Sequence, residues 1–266
     1  MPITSQDLLI SARANKRRTF AFRRLSVANT VAGGLCSMYR AGSTSALMPQ
    51  PAIPTVAAVP TKALSFNFPT PTAPDKSYVD VIDVGLTQAG RVTWYDRLFH
   101  IGGFNGTLAT AQTVNSQAVL TLPIRNTVAE EVEWFLEWYA DTGVTAVTAN
   151  VAVTYTDATT STIAVAMAAT MRASRLLPIV PLQGKVIASV QSVTLTATTG
   201  AAGSFGVSAG DRMSGCSVGV QVGNIAPPGK QAVFKDVPDN ACFWPVIECS
   251  TVASGDLAGE ITIIEG

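Results

Sequence analysis

Few residues in this chain have side chains suited to chemistry. There is one histidine, His100, so at most one imidazole is present to act as a general base. The four cysteines are Cys36, Cys216, Cys242 and Cys249, and no two have the two-residue spacing of a zinc knuckle. Structural zinc is therefore not expected. Cys242 and Cys249 lie on an odd offset, which points to opposite faces of one regular strand unless Pro245 interrupts it. Buried free thiols are the first reading of the four, with disulfides, including bridges between subunits, as the alternative. No Gly-x-Ser-x-Gly elbow, His-Glu-x-x-His pair, phosphate loop or dinucleotide fingerprint occurs. Glu130, Glu133 and Glu137 recur at helical spacing and read as a solvated or partner-facing edge rather than a cation site. Gly102, Gly103 and Gly106 after His100 read as a glycine-rich turn, and His100 itself as a packed structural histidine. The expectation is a chain that is not an enzyme and takes no cofactor or metal.

Charge is unevenly placed. The 266 residues sum to a formal net charge of zero. Up to Arg40, however, the cations Arg13, Lys16, Arg17, Arg18, Arg23, Arg24 and Arg40 face the single anion Asp7, leaving this stretch at +6 and the rest at −6. That split suggests a basic arm, residues 1–40, that reaches for an acidic partner. Phe20 and Phe22 among the cations resemble a nucleic-acid arm, but Leu25, Val27 and Val31 follow at once, so nucleic acid is the less favoured partner. Within the arm, Ser5 is placed to cap a short helix through Leu8, Leu9 and Ala12, with Asp7 in its first turn. The cations follow the first apolar residues rather than preceding them, so no cleavable signal is expected.

Residues 41–76 hold Pro49, Pro51, Pro54, Pro60, Pro69, Pro71 and Pro74, which forbid a long helix or a central strand. An extended strap is expected, lying on a surface through Val56, Val59, Leu64, Phe66 and Phe68. Residues 77–210 read as the β-rich core. Tyr78, Ile82 and Val84 alternate up to Gly85. Val147, Ala149, Val151, Val153 and Tyr155 pair as a hairpin with Ile163, Val165 and Met167, and Val186 to Leu195 forms a further strand. One amphipathic helix is predicted from Asn126 to Gly143, opened by a capping box of Thr127 with Glu130 and striped by Val128, Val132, Phe135, Leu136 and Tyr139. Residues 211–266 read as a C-terminal β extension closed by a hairpin of Ala241–Val252 with Leu257–Glu265. The predicted class is mainly β: a sandwich or jelly-roll-like body carrying that helix, with an extended arm and a C-terminal extension.

Composition narrows the partners. Apolar types are 47% and charged types 14%, well under the ~25% usual in soluble domains. No window of about 18 uninterrupted apolar residues exists, so no membrane partner is expected. A surface so poor in charge suits a subunit covered by neighbours. Three blocks sharpen this: Trp94-Tyr95-Asp96-Arg97-Leu98-Phe99-His100, Ala111-Gln112-Thr113-Val114-Asn115, and Ser189-Val190-Gln191-Ser192-Val193-Thr194-Leu195. Together with Pro178-Ile179-Val180-Pro181-Leu182-Gln183, they resemble a family of tailed-bacteriophage virion structural proteins over about residues 78–210.

The resemblance implies a β-rich accessory subunit of the phage particle, located in the virion and assembled in the host cytoplasm. The expected role is a capsid decoration or cement protein, trimeric, bound to the major capsid protein and to other copies of itself. Arg13, Lys16, Arg17, Arg18, Arg23, Arg24, Phe66 and Phe68 are the expected partner-binding residues. A tail, neck or baseplate component is one alternative. A carbohydrate-binding module using Trp134 and Trp138 as an exposed stacking pair is another. The cement expectation depends on the chain ends lying on neighbours and not on their own body.

Overall fold

The computed structural model describes residues 2–29, 31–42, 48–115, 125, 129–218 and 231–266, without the side chains of 216 and 231–235. The fold is mainly β. One helix, α1 (Gln6–Asn15), precedes strands β1 (Arg17–Arg24) and β2 (Leu35–Ser37). Then come β3 (Ser77–Leu86), β4 (Gly90–Phe104), β5 (Gln112–Thr113), β6 (Val132–Ala140), β7 (Val147–Tyr155), β8 (Thr160–Met167) and β9 (Arg175–Pro178). The remaining strands are β10 (Ile187–Leu195), β11 (Ser204–Val218), β12 (Gln231–Val237), β13 (Phe243–Cys249) and β14 (Leu257–Glu265). α1 starts as its sequence dictates, with the Ser5 hydroxyl accepting from the Leu8 amide and Asp7 in the first turn.

At the centre is a closed antiparallel barrel in the order β11-β4-β13-β2-β9-β6. Two four-stranded sheets flank it, β1-β14-β3-β12 and β5-β10-β7-β8. Inside the barrel, Leu35, Tyr95, Phe135, Leu176, Trp244 and Val246 meet from five of its strands. On one outer side Trp134, Leu136, Trp138 and Phe205 pack against Val151, Val153, Val190 and Val193 of the β5-β10-β7-β8 sheet. On the other, Trp94, Phe243 and Ile247 pack against Phe22, Val79, Ile82 and Ile261 of the β1-β14-β3-β12 sheet. Each sheet thus buries one face on the barrel wall, which is how a sandwich core arises around a closed cylinder.

Several expectations hold. β7 and β8 form the hairpin, in register from Val147↔Met167 to Thr154↔Thr160, and β10 spans the predicted run. The helix predicted from 126 to 143 is overturned. Its capping residue Thr127 lies outside the described residues, Ala129–Glu131 is a single 3₁₀ turn, and 132–140 is strand β6. β6 lies between β11 and β9 in the barrel wall. Its even positions face the β5-β10-β7-β8 sheet and its odd positions face the interior, where Glu133 and Glu137, four residues apart, fit a helical period as well as a two-residue one.

The closing hairpin is also corrected. β13 pairs with β4 and β2, whereas β14 lies between β1 and β3, so the two strands belong to different sheets. β11 runs unbroken through position 210, joining the expected core to the expected extension. Gly102 and Gly103 are not a turn but part of β4. At Gly102 a Cβ would come 2.3 Å from Ile53, so the absent side chain lets the proline-rich segment approach, and the Gly102 amide donates to the Pro54 carbonyl at 2.7 Å.

Gly206 in β11, pinched between β4 and β6, has even less space: a Cβ there would lie 1.9 Å from the Ile101 carbonyl oxygen. That obstacle is backbone and cannot rotate aside. Gly206→Ala is therefore expected to destabilise the fold by about 1–3 kcal/mol through overpacking. Urea denaturation of the variant beside the wild type measures it.

Candidate functional site

The expected partner-binding residues are largely engaged within the chain. Strand β1 pairs with β14 from Arg17↔Ile264 to Arg24↔Leu257, and β14 in turn pairs with β3. The arm is thus the edge strand of a sheet, and its cations meet acids of the same body. Arg13 Nε donates to Asp80 Oδ1 at 2.9 Å, Lys16 is bonded to Asp75, Arg23 Nη2 lies 3.0 Å from Asp256 Oδ2, and Arg18 Nε lies 3.6 Å from Glu265 Oε1. Arg24 is fully buried, donating to the carbonyls of Ala41 (3.1 Å) and Pro49 (2.6 Å). Burial pulls its guanidinium down to about 10, so it remains a cation at neutral pH. Arg17 is exposed at the start of β1.

Phe66 and Phe68 are 0% and 1% exposed and belong to the core. Phe66 sits 5.6 Å from the Phe243 ring and 5.9 Å from Phe22, and Phe68 lies 6.0 Å from Phe243. The reason they are not on offer to a partner is that the proline-rich segment is stapled to the body. Ala58 exchanges backbone hydrogen bonds with His100 at 3.0 Å each way, and the Phe243 amide donates to Ser65 Oγ at 2.9 Å. A mechanism in which the arm and strap lash neighbouring subunits is therefore withdrawn. The proposed stacking pair fails as well, since Trp134 and Trp138 are 2% and 0% exposed.

The cysteines expected as disulfide candidates divide in two. Cys36, Cys242 and Cys249 are free buried thiols, while the side chain of Cys216 lies outside the described residues. Cys36 and Cys249 hydrogen-bond to one another, which raises the Cys36 thiol and lowers that of Cys249. Cys242 Sγ lies 3.3 Å from the Tyr39 hydroxyl, and burial pushes its thiol up to about 11.

Sequence reasoning missed the most strongly charged feature of the interior. Arg97 on β4 and Glu137 on β6 form an ion pair with both side chains essentially inaccessible. Arg97 also donates to Ser208 Oγ on β11 at 2.6 Å, and its guanidinium carbon lies 4.3 Å from the Tyr39 ring centroid and 4.5 Å from that of Trp244. Burial alone would raise the Glu137 carboxyl, but the adjacent guanidinium outweighs it and holds the group down at about 2. The predicted helix concealed this pair by placing Glu137 on a wet face. A single signal was present in the sequence: a carboxylate flanked by Trp134, Phe135, Leu136, Trp138 and Tyr139 is a poor fit to a solvated edge. Glu133, the other carboxylate of that set on β6, accepts from the Tyr95 hydroxyl at 2.8 Å.

His100 completes the network, with Nε2 2.6 Å from the Tyr139 hydroxyl, which donates on to Glu137 Oε2 at 3.4 Å. Burial, then the Arg97 and Arg40 charges, pull His100 well below its usual value, against the opposing pull of Glu137. The unfolded chain therefore takes up a proton at about pH 6.5 that the folded chain refuses. His100 thus stabilises the fold fully above that pH and progressively less below it. The wild type is expected to lose stability as pH falls below about 6.5, at a slope rising toward about 1.4 kcal/mol per pH unit, beyond what His100→Gln loses, read from urea midpoints at each pH.

Chemically this assembly has no open face. The guanidinium is covered by two aromatic rings and the carboxylate is filled by Arg97, Ser208 and Tyr139. Among the described residues, no cluster of three or more His, Cys, Asp or Glu could hold a metal ion. The surface offers a cleft of about 280 Å³ lined by Glu130, Trp134, Pro178, Pro181, Lys185 and Ile187. Beside it stand Val180 and Leu182, 64% and 56% exposed.

No family model matches the chain, and no curated protein matches it. Among solved structures, one titled "Structure of infectious bursal disease virus Gx strain" aligns over 94% of this chain and 81% of that one, at 11% identity and a TM-score of 0.14. A likeness that slight carries no argument about either fold or role.

Proposed function

We propose that the chain is a non-enzymatic structural subunit of a tailed-bacteriophage particle, seated on the capsid as a decoration protein. The observation that carries this reading is the use made of the sequence blocks that resemble phage virion proteins. Trp94, Tyr95, Arg97, Phe99 and His100 are built into β4, and Val190, Val193 and Leu195 of β10 pack on the outside of the barrel. All eight are buried. These motifs specify a scaffold, which is what a virion subunit requires of them. The fourth block, Pro178 to Gln183, instead brings Val180 and Leu182 to the surface beside the cleft.

Attachment in this reading comes from the rigid body and not from its ends. The exposed apolar residues Val180 and Leu182, on either side of Pro181, lose little conformational entropy on docking, and burying them contributes about 25 cal/mol per Å². Repetition over a shell then adds avidity.

The test is to purify particles of the phage that carries the gene and locate the chain by mass spectrometry and gold-labelled antibody. Regular labelling of the head is the expected result. Labelling confined to the tail, neck or baseplate would select that alternative, and absence from washed particles would remove both. In the first case, Leu182→Asp should lower occupancy on the shell while leaving the purified protein folded.

A further inference from the structure

We propose that strand β8 is a self-pairing edge, through which two copies of this chain join their β5-β10-β7-β8 sheets into one continuous antiparallel sheet. This inference does not depend on the phage reading. β8 is the outer strand of its sheet, and among the described residues no backbone hydrogen bond reaches it from the side away from β7. An open edge is a row of unpaired donors and acceptors, and proteins that must stay apart blunt such edges with charge, proline, bulges or brevity.

The other sheet edges carry those devices. β1 presents Arg17, Arg18 and Arg23, β12 includes Lys235 and Asp236, and β5 is two residues long. β8 has none of them: Thr160-Ser-Thr-Ile-Ala-Val-Ala-Met167 contains no charge and no proline, and its register with β7 runs without a bulge.

The choice of a second copy as occupant follows from charge and backbone alternation. Self-pairing about a two-fold axis brings a strand's own side chains together, so a basic edge such as β1 repels itself while a neutral one does not. The Tyr155 amide donates to the Thr159 carbonyl at 2.8 Å, so alternation along the hairpin turns the backbone groups of Thr160, Thr162, Ala164 and Ala166 outward. An antiparallel register centred on Ile163 sets Thr162 opposite Ala164 of the partner subunit and Thr160 opposite Ala166 of the partner subunit. Every outward donor then meets an acceptor. The side chains of these four residues are small and exposed, so none obstructs the approach, while Ile163, Val165 and Met167 stay on the core side.

Sedimentation velocity on the purified full chain tests this, with Ala164→Pro and Ala164→Lys as probes. Proline deletes one outward donor without touching the β7 ladder, and lysine places two like charges a diagonal apart across the axis. The expected result is a wild-type dimer that both variants convert to monomer, halving the sedimenting mass, with far-UV circular dichroism unchanged. Amide exchange at Thr162 and Ala164 should be slow in the dimer and fast in the lysine variant. Arg18→Glu, on the opposite sheet, should leave the dimer intact. A wild-type monomer, or an assembly of any size indifferent to both Ala164 variants, would overturn the proposal.

Discussion

Glu137→Leu is expected to cost about 3–5 kcal/mol of folding free energy, enough to unfold a domain of ordinary stability. Arg97 is fully buried, and Glu137 is its only carboxylate partner among the described contacts. A guanidinium cannot shed its proton to escape burial, so removing the carboxylate strands a full charge inside a closed barrel. The rings of Tyr39 and Trp244 that cover the guanidinium soften that penalty by about 2 kcal/mol each. The double variant Arg97→Met with Glu137→Leu removes both charges and should recover most of the loss. Urea denaturation of wild type, single and double variants measures the coupling; a single variant as stable as wild type would show the pair to be idle. Acid adds a second check. Because the folded carboxyl stays ionised to about pH 2, its contribution is complete above the ordinary glutamate value of about 4.3 and is lost as pH falls from there through 2.

Phe22→Ala should cost about 3–5 kcal/mol, and deletion of residues 1–24 should abolish the folded monomer. Phe22 is buried, edge-on to Trp94 at 5.1 Å and 5.9 Å from Phe66, so truncating it opens a cavity between the β1-β14-β3-β12 sheet and the barrel wall. Deletion goes further. It removes the whole ladder from Arg17↔Ile264 to Arg24↔Leu257 and leaves β14, with Ile261, Ile263 and Ile264, as a bare apolar edge prone to aggregation. Thermal melts with light scattering read both effects. An arm that served only to lash neighbours would give the opposite result, a truncated monomer as stable as the parent.

Where one face of an element meets solvent, the sequence was legible. β7 alternates buried and half-buried positions through Val147, Ala149, Val151, Val153 and Tyr155, and the Ser5 cap of α1 is a purely local hydrogen bond. β6 was not legible, because both its faces are covered and its two polar positions, Glu133 and Glu137, lie four residues apart, a spacing that a helix and a strand share. Val132, Phe135, Leu136 and Tyr139 then fit a helical stripe by coincidence. The N-terminal stretch failed for another reason. Its +6 charge is plain in the sequence, but the four acids that answer its cations, Asp75, Asp80, Asp256 and Glu265, are scattered through the rest of the chain, and only the β1–β14–β3 pairing brings them to it. Composition reports a sum and not a location. The Arg97–Glu137 pair was hidden likewise, since its two partners stand forty positions apart in sequence and meet only once the barrel closes.

The pairing of β1 with β14 also governs when this molecule can fold. On the ribosome, Arg17 to Arg24 emerge early and must wait, unpartnered, until Leu257 to Ile264 have left the exit tunnel. The sheet that holds β1 is completed only when β14, far downstream in the chain, becomes available, so it cannot assemble alongside the synthesis of its own first strand.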